Sequence, residues 1–546
     1  MNIKKKIDTK LRIDLAHTLI VFTVLFSIFS IWVNHSFQGN YWGPFLPGSN
    51  FGIPSAEAEM GMYPTSDVGW DAQFYYYQSN DILAQGDEYL HIDNPAYRYQ
   101  KIGMPLIAHI VSRILGQELT SPFLYHLLQF IIVSIGFFVL IRWLRKNNIN
   151  QIYAYGWILS VGVINSLAYG MPDPVGDAFF IMSVIFALSG QLVFYMIATI
   201  MLLLVREGYA LYAAIIFILT VFNKISWKCE KKNQRILLTM IPGIIVVLWM
   251  IYVTYRFGIT PMAATRGAEL TDLPLIGAVK TFIAAIKQGD VIRVVFNEFG
   301  VIILLFSIYN IIKVRKESYV WYAVIGYGFL MSSLGTTVWF DYSGYMKALG
   351  SIIAGLIISL AYNKKKMMIS ILCVIITLQG LGYNYYIKKN AFYTEYNKID
   401  VVQNIENEMS NPLNEFNSHI LTENNNVLTF DRKGIFKRFL RELNEIEVTV
   451  SNTSNENWYA YPNDGMYSMN ISYRIYDESG IKVLFDGIRM PIGKDILSGE
   501  KEKFKIKFLV PSSSGKYILR ISMLQEGVAW FNDVNGGYVD IPLQIK

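Results

Sequence analysis

The sequence predicts an α-helical polytopic membrane protein, with about 9–11 transmembrane helices, that ends in an all-β sandwich. Three observations predict it. First, 53% of the 546 residues are hydrophobic and 16% are charged, whereas about a quarter of the residues of a soluble domain are charged. Second, the apolar residues are clustered into runs, several of which reach the ~20 residues a helix needs to cross ~30 Å of hydrocarbon. Third, beyond residue 427 the runs give way to period-two alternation of β-branched and aromatic residues with polar ones.

The elements follow in order from the amino terminus. Lys4, Lys5, Lys6, Lys10 and Arg12 precede the first apolar run and place the N-terminus in the cytoplasm, because basic loops stay inside. Helix one, at about 14–33, crosses outward and is read as a retained anchor, since its core is too long for a signal peptide. Residues 34–102 form a long external loop with more acidic than basic side chains. A short juxtamembrane helix at 103–115 starts at Met104 and Pro105, as proline suits a first turn. Helix two, at about 121–143, returns to the basic 142–150 loop, and helix three, at about 151–170, leads out to MPDP.

Residues 174–222 hold about three apolar pieces, and only an odd number of crossings brings the basic segment 224–235 to the cytoplasm. Three short spans satisfy this, as does a bent or re-entrant element lining a cavity. Later spans are expected at about 236–257, 291–313, 319–338, 345–362 and 366–384, with an external loop at 258–290. The basic clusters at 313–316 and 364–366 fix the parity and leave everything beyond residue 390 outside.

A transmembrane domain over 1–390, a polar linker over 391–426 and an external β-sandwich over 427–546 follow. IEVTV, MNISYRIYD, EKFKIKFLVP and GKYILRISMLQEG alternate between Gly, Asn, Asp and Pro clusters, which reads as about seven strands. The net charge of +6 comes from short basic clusters beside apolar runs, so it marks topology and not a nucleic-acid partner. Cys229, in a basic loop, and Cys373, in an apolar run, form no disulfide framework.

The external loop carries DVGWDAQFYYYQSND at 67–81. Asp67 and Asp71 stand four apart among aromatic residues that suit a sugar ring or the membrane interface. A carboxylate there can act as general base toward an acceptor hydroxyl attacking an anomeric carbon; a solvated interfacial helix has the same composition. Arg98 and Lys101, in YRYQKIGMP, run against the positive-inside trend and fit a lipid-linked phosphate or headgroup snorkelling. In MPDPVGDAFF at 171–180, Asp173 and Asp177 straddle a helix start, where capping accounts for them equally well. Arg266 and Glu269 lie in the 258–275 loop, Asp341 and Lys347 in the last external turn. His91, His109 and His126 lack metal-ligand spacing, and no Walker loop, GxGxxG, GxSxG or HExxH occurs.

GWDAQFYYY at 69–77 and RYQKIGMPLIA at 98–108 resemble the paired motif G-Y-D-G-Q-F-Y-Y and R-Y-R-R-I-x-x-P-L-L-A of bacterial members of the GT-C superfamily of polytopic glycosyltransferases. Trp70 replaces the usual Tyr, Ala72 the usual Gly, and Lys101 stands where Arg is common; Asp71, Gln73, Arg98 and Pro105 keep their places. The resemblance covers residues 10–385 in architecture and about forty in motif. It implies Asp71 as catalytic base with Asp67 as helper, a donor phosphate held by Arg98 and Lys101 with Lys347 and Arg266, and a cavity lined by Gln73, Tyr75 and Asp173. It implies a polyprenyl-phosphate-linked sugar as donor, a glycan or lipid-linked acceptor and a bilayer location in the plasma or inner membrane. It fixes no cofactor and leaves a divalent cation open.

SNTSNENWYAYP, GIRMPIGKDILSGE, PSSSGKYILRISMLQEGVAWF and GGYVDIPLQI resemble β-sandwich modules of bacterial polysaccharide-assembly proteins. That likeness implies glycan stacking on Trp458 and Trp530, whereas the residue types alone fit a sandwich core equally well. Two other functions share this outline: a transporter or flippase of lipid-linked glycans, and a glycan polymerase or ligase. Nearly charge-free spans favour the transferase, because translocation sites commonly carry ionisable residues at mid-membrane.

Overall fold

A computed structural model of the chain describes residues 2–37, 39–48, 50–62, 64, 69–265, 270–287, 291–340, 342–362, 410–422, 427–430, 443–460, 467, 469–480, 482–484, 490–492, 494–511, 514–525 and 528–546. It divides into two units, one of residues 1–44, 74–286 and 292–384, the other of residues 45–73, 287–291 and 385–546. The expected span at 366–384 lies outside the described residues.

The first unit is helical. Among the described residues, four helices are long and apolar enough to cross a membrane: Leu11–Phe37, Pro122–Lys146, Lys232–Phe257 and Arg293–Val314. The protein is thus a helical membrane protein. The first belongs to α1 (Asn2–Phe37), the second is α6 (Pro122–Lys146) and the others are α12 (Lys232–Phe257) and α15 (Val291–Val314). The lipid-facing logic is visible on α1, where Leu15, Leu19, Ile20, Val24, Ile28 and Ile31 are exposed; outside a bilayer such a stripe would be an aggregation surface. Its inner face meets α6, and near one end Arg145 reaches the buried Asp14 at 2.7 Å.

Between α1 and α6 the loop folds into α2 (Ser55–Glu59, in the second unit), α3 (Ala72–Asn80), α4 (Pro95–Tyr99) and the amphipathic α5 (Gly103–Ile114). The third expected span is corrected. Residues 151–170 are not one helix but a 3₁₀ turn at Gln151–Ala154, α7 (Tyr155–Ile158) and α8 (Val161–Ala168). Ser160 is extended at ψ 146°, and Gly162 lets the Met346 carbonyl approach so closely that a Cβ would overlap it. A close backbone crossing of this kind interrupts the helix where apolar composition predicts continuity.

The segment 174–222 forms three separate helices, α9 (Asp173–Leu188), α10 (Leu192–Val205) and α11 (Ala210–Val221). The α9–α10 turn at Gly190 accepts a hydrogen bond from Lys228 N at 2.8 Å. Asp173 and Arg206 meet at the opposite end. The three helices therefore run alternately between the same two ends. The loop after α12 is partly helical, with α13 (Pro261–Ala264) and α14 (Ile276–Lys287), and the unit continues through α16 (Val320–Ser332), α17 (Thr336–Phe340), α18 (Tyr342–Ala348) and α19 (Gly350–Tyr362).

The second unit contains the β region. Its strands are β1 (Ser418–Thr422), β2 (Leu428–Phe430), β3 (Leu443–Asn452), β4 (Met469–Asp477), β5 (Lys482–Leu484), β6 (Met490–Pro491), β7 (Lys501–Leu509), β8 (Gly515–Gln525), β9 (Ala529–Trp530) and β10 (Tyr538–Ile545). One sheet is β1-β3-β7, and the other is β2-β10-β8-β4-β5 with β6 on β4 and β9 on β8. Among the described residues, all pairings are antiparallel except β2 with β10. Alternate residues of both sheets enter one core: Ile446, Val448 and Val450 from β3, Ile471, Tyr473 and Ile475 from β4, and Leu519, Ile521 and Met523 from β8. On the outer face of the β1-β3-β7 sheet, Glu447 of β3 and Lys503 of β7 lie 3.1 Å apart, so the side left to water is charged.

The expected linker is corrected at its end. Ser418–Thr422 is already a strand, paired in register with β3 from Ser418 opposite Asn452 to Thr422 opposite Val448. Its Ile420 enters the core.

Candidate functional site

The acidic motif begins in a tight loop. Gly69 has φ +73°, and a Cβ there would lie 2.6 Å from both Gly48 N and Leu46 O, so neither the angle nor the space admits a side chain. Trp70 N donates to Leu46 O at 3.0 Å, and Gly48 N donates to the Gln73 carboxamide at 2.8 Å. Gln73, expected to line a cavity, is fully buried and closes this loop. Asp71 follows the loop directly, half-buried, and immediately precedes α3. Asp67 lies outside the described residues, as does Arg266.

Helix α3 continues within the first unit, where two of its faces are engaged. Tyr76 Oη donates to Thr120 O at 2.9 Å on one side. On the other, Phe74 and Tyr75 lie under Arg98, whose guanidinium carbon is 4.9 and 5.9 Å from their ring centres. Asn94 caps α4, accepting from Tyr97 N at 3.2 Å, with Pro95 as its first residue. Tyr99 Oη donates to Asp81 O at 2.8 Å, and Trp249 Nε1 of α12 donates to Tyr99 O at 2.8 Å. These bonds fasten α3 and α4 to the long helix α12.

Arg98 is closed bidentately on Asp93, with Nε to Oδ1 at 2.8 Å and Nη2 to Oδ2 at 2.6 Å. This is the strong fork geometry of charge-assisted pairs. Lys101 stands farther from its carboxylate. Its Nζ donates to Tyr97 Oη at 2.6 Å and lies 3.9 Å from Glu207 Oε1. Burial opposes the ammonium charge, but the Glu207 carboxylate and the Tyr75 and Tyr97 phenols outweigh it and hold the lysine pKa above its ordinary value. Lys101 is a fixed cation at every physiological pH.

Nearby, Glu88 is buried, and burial first, then the charges of Asp81 and Asp87, raise its carboxyl above the usual range. The Asp81 carboxylate accepts from Gln85 N at 2.8 Å and Gly86 N at 2.9 Å, closing the turn after α3.

Asp173 receives Arg206 Nη1 at 2.8 Å. Asp177, one turn further along α9, accepts from Tyr209 Oη at 3.3 Å, and Gly350 leaves room for its carboxyl, since a Cβ there would overlap it. Tyr209 stacks on Tyr327 at 4.6 Å between ring centres, and Tyr327 shares a 2.9 Å hydrogen bond with Ser351. The turn after α10 is therefore a hub: Arg206 to Asp173, Glu207 to Lys101, Tyr209 to Asp177. Sequence reasoning missed all three hub residues. Their signal is the charged pair in LLLVREGYALY, which interrupts two apolar runs.

Lys347 is half-buried on α18, whose neighbouring Met346 crosses α8 at Gly162. The sandwich aromatics are corrected as glycan faces. Trp458 is fully buried in the core, edge-on to Phe531 at 5.4 Å. Trp530 is 9% exposed, with the Arg474 guanidinium 4.0 Å above its indole. Both large rings go where burial gains most, because each removes a large apolar area from water. Among the described residues no group of three His, Cys, Asp or Glu side chains is placed to hold a metal ion. No protein-family model and no curated protein matches the chain.

Proposed function

We propose that the chain is a membrane glycosyltransferase that moves a sugar from a polyprenyl-phosphate-linked donor to an extracytoplasmic glycan or lipid-linked acceptor. The observation that supports it lies within the first unit, where Phe74 and Tyr75 sit under Arg98 and the Lys101 ammonium follows three residues later; Asp71 enters through its place in the same sequence motif. In this reading the acceptor hydroxyl attacks the anomeric carbon while Asp71 takes its proton. The glycosidic C–O bond breaks, and the electron pair leaves on the phosphate oxygen, whose charge Lys101 stabilises. Arg98, already forked onto Asp93, orients the loop beneath the phosphate. Purified protein in lipid nanodiscs, given a polyprenyl-phosphate sugar and followed by intact mass, tests the reading; absence of any sugar turnover with a panel of common sugars sinks it.

A second reading, translocation of a lipid-linked glycan, draws on Asp177, a buried carboxyl inside the helical unit 3.3 Å from Tyr209 Oη. Ionisable groups so placed commonly mark transport pathways. Flux of a fluorescent lipid-linked glycan across proteoliposomes without sugar transfer would favour it.

A further inference from the structure

We propose that Glu207 is an internal counter-ion that a phosphate-bearing ligand displaces from Lys101, so that the protein competes with its own ligand for this ammonium. The inference rests on the donor-binding role given above to Lys101, and it concerns a residue outside both sequence motifs.

Three features carry it. The first is looseness. Lys101 Nζ and Glu207 Oε1 are 3.9 Å apart, beyond hydrogen-bond range, whereas Arg98 and Arg206 hold their carboxylates at 2.6 and 2.8 Å. The second is accessibility. The Lys101 side chain is 12% exposed and that of Glu207 36%, so the glutamate is the more accessible member of the pair. The third is unused capacity. Glu207 Oε2 is buried and accepts no hydrogen bond among the described residues, a costly condition for a carboxylate oxygen. Lys101 directs one hydrogen bond, to the Tyr97 phenol, among the described residues, though an ammonium has three donors.

A phosphate monoester or diphosphate supplies several acceptor oxygens and more charge than a carboxylate. It satisfies the remaining donors of Lys101 and releases Glu207 toward solvent. The chemistry recognised is thus phosphate, whether borne by a lipid or free.

The test uses full-length protein in nanodiscs of zwitterionic lipid, with two probes: inorganic pyrophosphate and a long-chain polyprenyl phosphate. Glu207→Gln should tighten binding about three- to tenfold, the scale of one partly screened charge interaction. Lys101→Gln should weaken binding both in the wild-type background and in combination with Glu207→Gln. Glu207→Asp, which withdraws the carboxylate while keeping its charge, gives an intermediate gain and serves where Glu207→Gln does not fold. Tightening for both probes identifies phosphate itself, and tightening for the lipid probe alone identifies a headgroup. Unchanged or weaker binding by folded Glu207→Gln overturns the proposal, as does binding of neither probe to any variant. Sugar turnover by wild type is measured separately. If it is absent while Glu207→Gln still tightens phosphate, the transferase reading fails and the counter-ion stands; normal turnover with no tightening gives the converse.

Discussion

Arg206 Nη1 donates to Asp173 Oδ1 at 2.8 Å, tying the turn after α10 to the first residue of α9. The Asp173 side chain is 10% exposed. Arg206→Ala leaves that carboxylate buried without its cation, and the expected loss is about 3–5 kcal/mol. Asp173→Asn keeps an acceptor for the guanidinium and should cost less. Thermal unfolding in detergent micelles compares them, and equal losses would contradict the pairing.

Asp71→Asn should lower sugar transfer on the order of 10²–10⁴-fold, with expression and donor binding close to wild type. Asparagine preserves the shape but cannot take the acceptor's proton. Single-turnover kinetics with preloaded donor isolates the step. Full activity in the variant removes Asp71 from the chemistry.

A soluble fragment starting at residue 410 should unfold cooperatively, and one starting at residue 427 should be markedly less stable. The shorter piece loses β1, with its five register pairs to β3, and the core side chain Ile420. Circular dichroism in urea decides it. Within the longer fragment, Trp458→Ala should cost about 3–5 kcal/mol through the cavity it leaves.

Acid should weaken the same fragment through Glu456. Its carboxylate accepts from Asn414 N at 2.8 Å and Glu415 N at 3.0 Å. Partial burial opposes the charge, yet these hydrogen bonds overcome it and hold the pKa below the usual glutamate value. A carboxyl depressed by folding stabilises fully above its unfolded value, near about 4.3, and loses that contribution as pH falls through the folded value. Melting temperature should therefore drop below about pH 4.3, and Glu456→Gln should flatten that part of the profile. An identical profile in the variant would exclude Glu456 as a source.

Orientation is testable by thiol labelling in a background that lacks both native cysteines, Cys229→Ser with Cys373→Ser. Cysteines at the exposed positions Glu118 and Ser479 should react with an impermeant maleimide on intact cells, and one at the exposed Asn148 should not. Labelling at 148 with protection at 479 inverts the topology.

The long spans and most of the strands were legible because each follows one period. α6 and α12 read as uninterrupted apolar runs, and β3 reads as Ile446, Val448 and Val450 in alternation. The broken third span was not legible, since Gly156, Ser160 and Gly162 sit in an apolar stretch and the interruption comes from a crossing with Met346 far along the chain. β1 was missed because SHILT is short and lies in polar surroundings. In the site, the residue types around Asp71, Arg98 and Lys101 were visible. Their partners Asp93 and Glu207 were not, because pairing depends on which turns the fold brings together. Trp458 and Trp530 carry the same composition whether they face a glycan or a core, and only burial separates the two.

Gly350 has a consequence for how this sequence can drift. A side chain there meets the Asp177 carboxyl, and displacing that carboxyl would surrender its 3.3 Å hydrogen bond from Tyr209. The two positions, 173 residues apart in the chain, are therefore coupled: what position 350 accommodates depends on what occupies position 177.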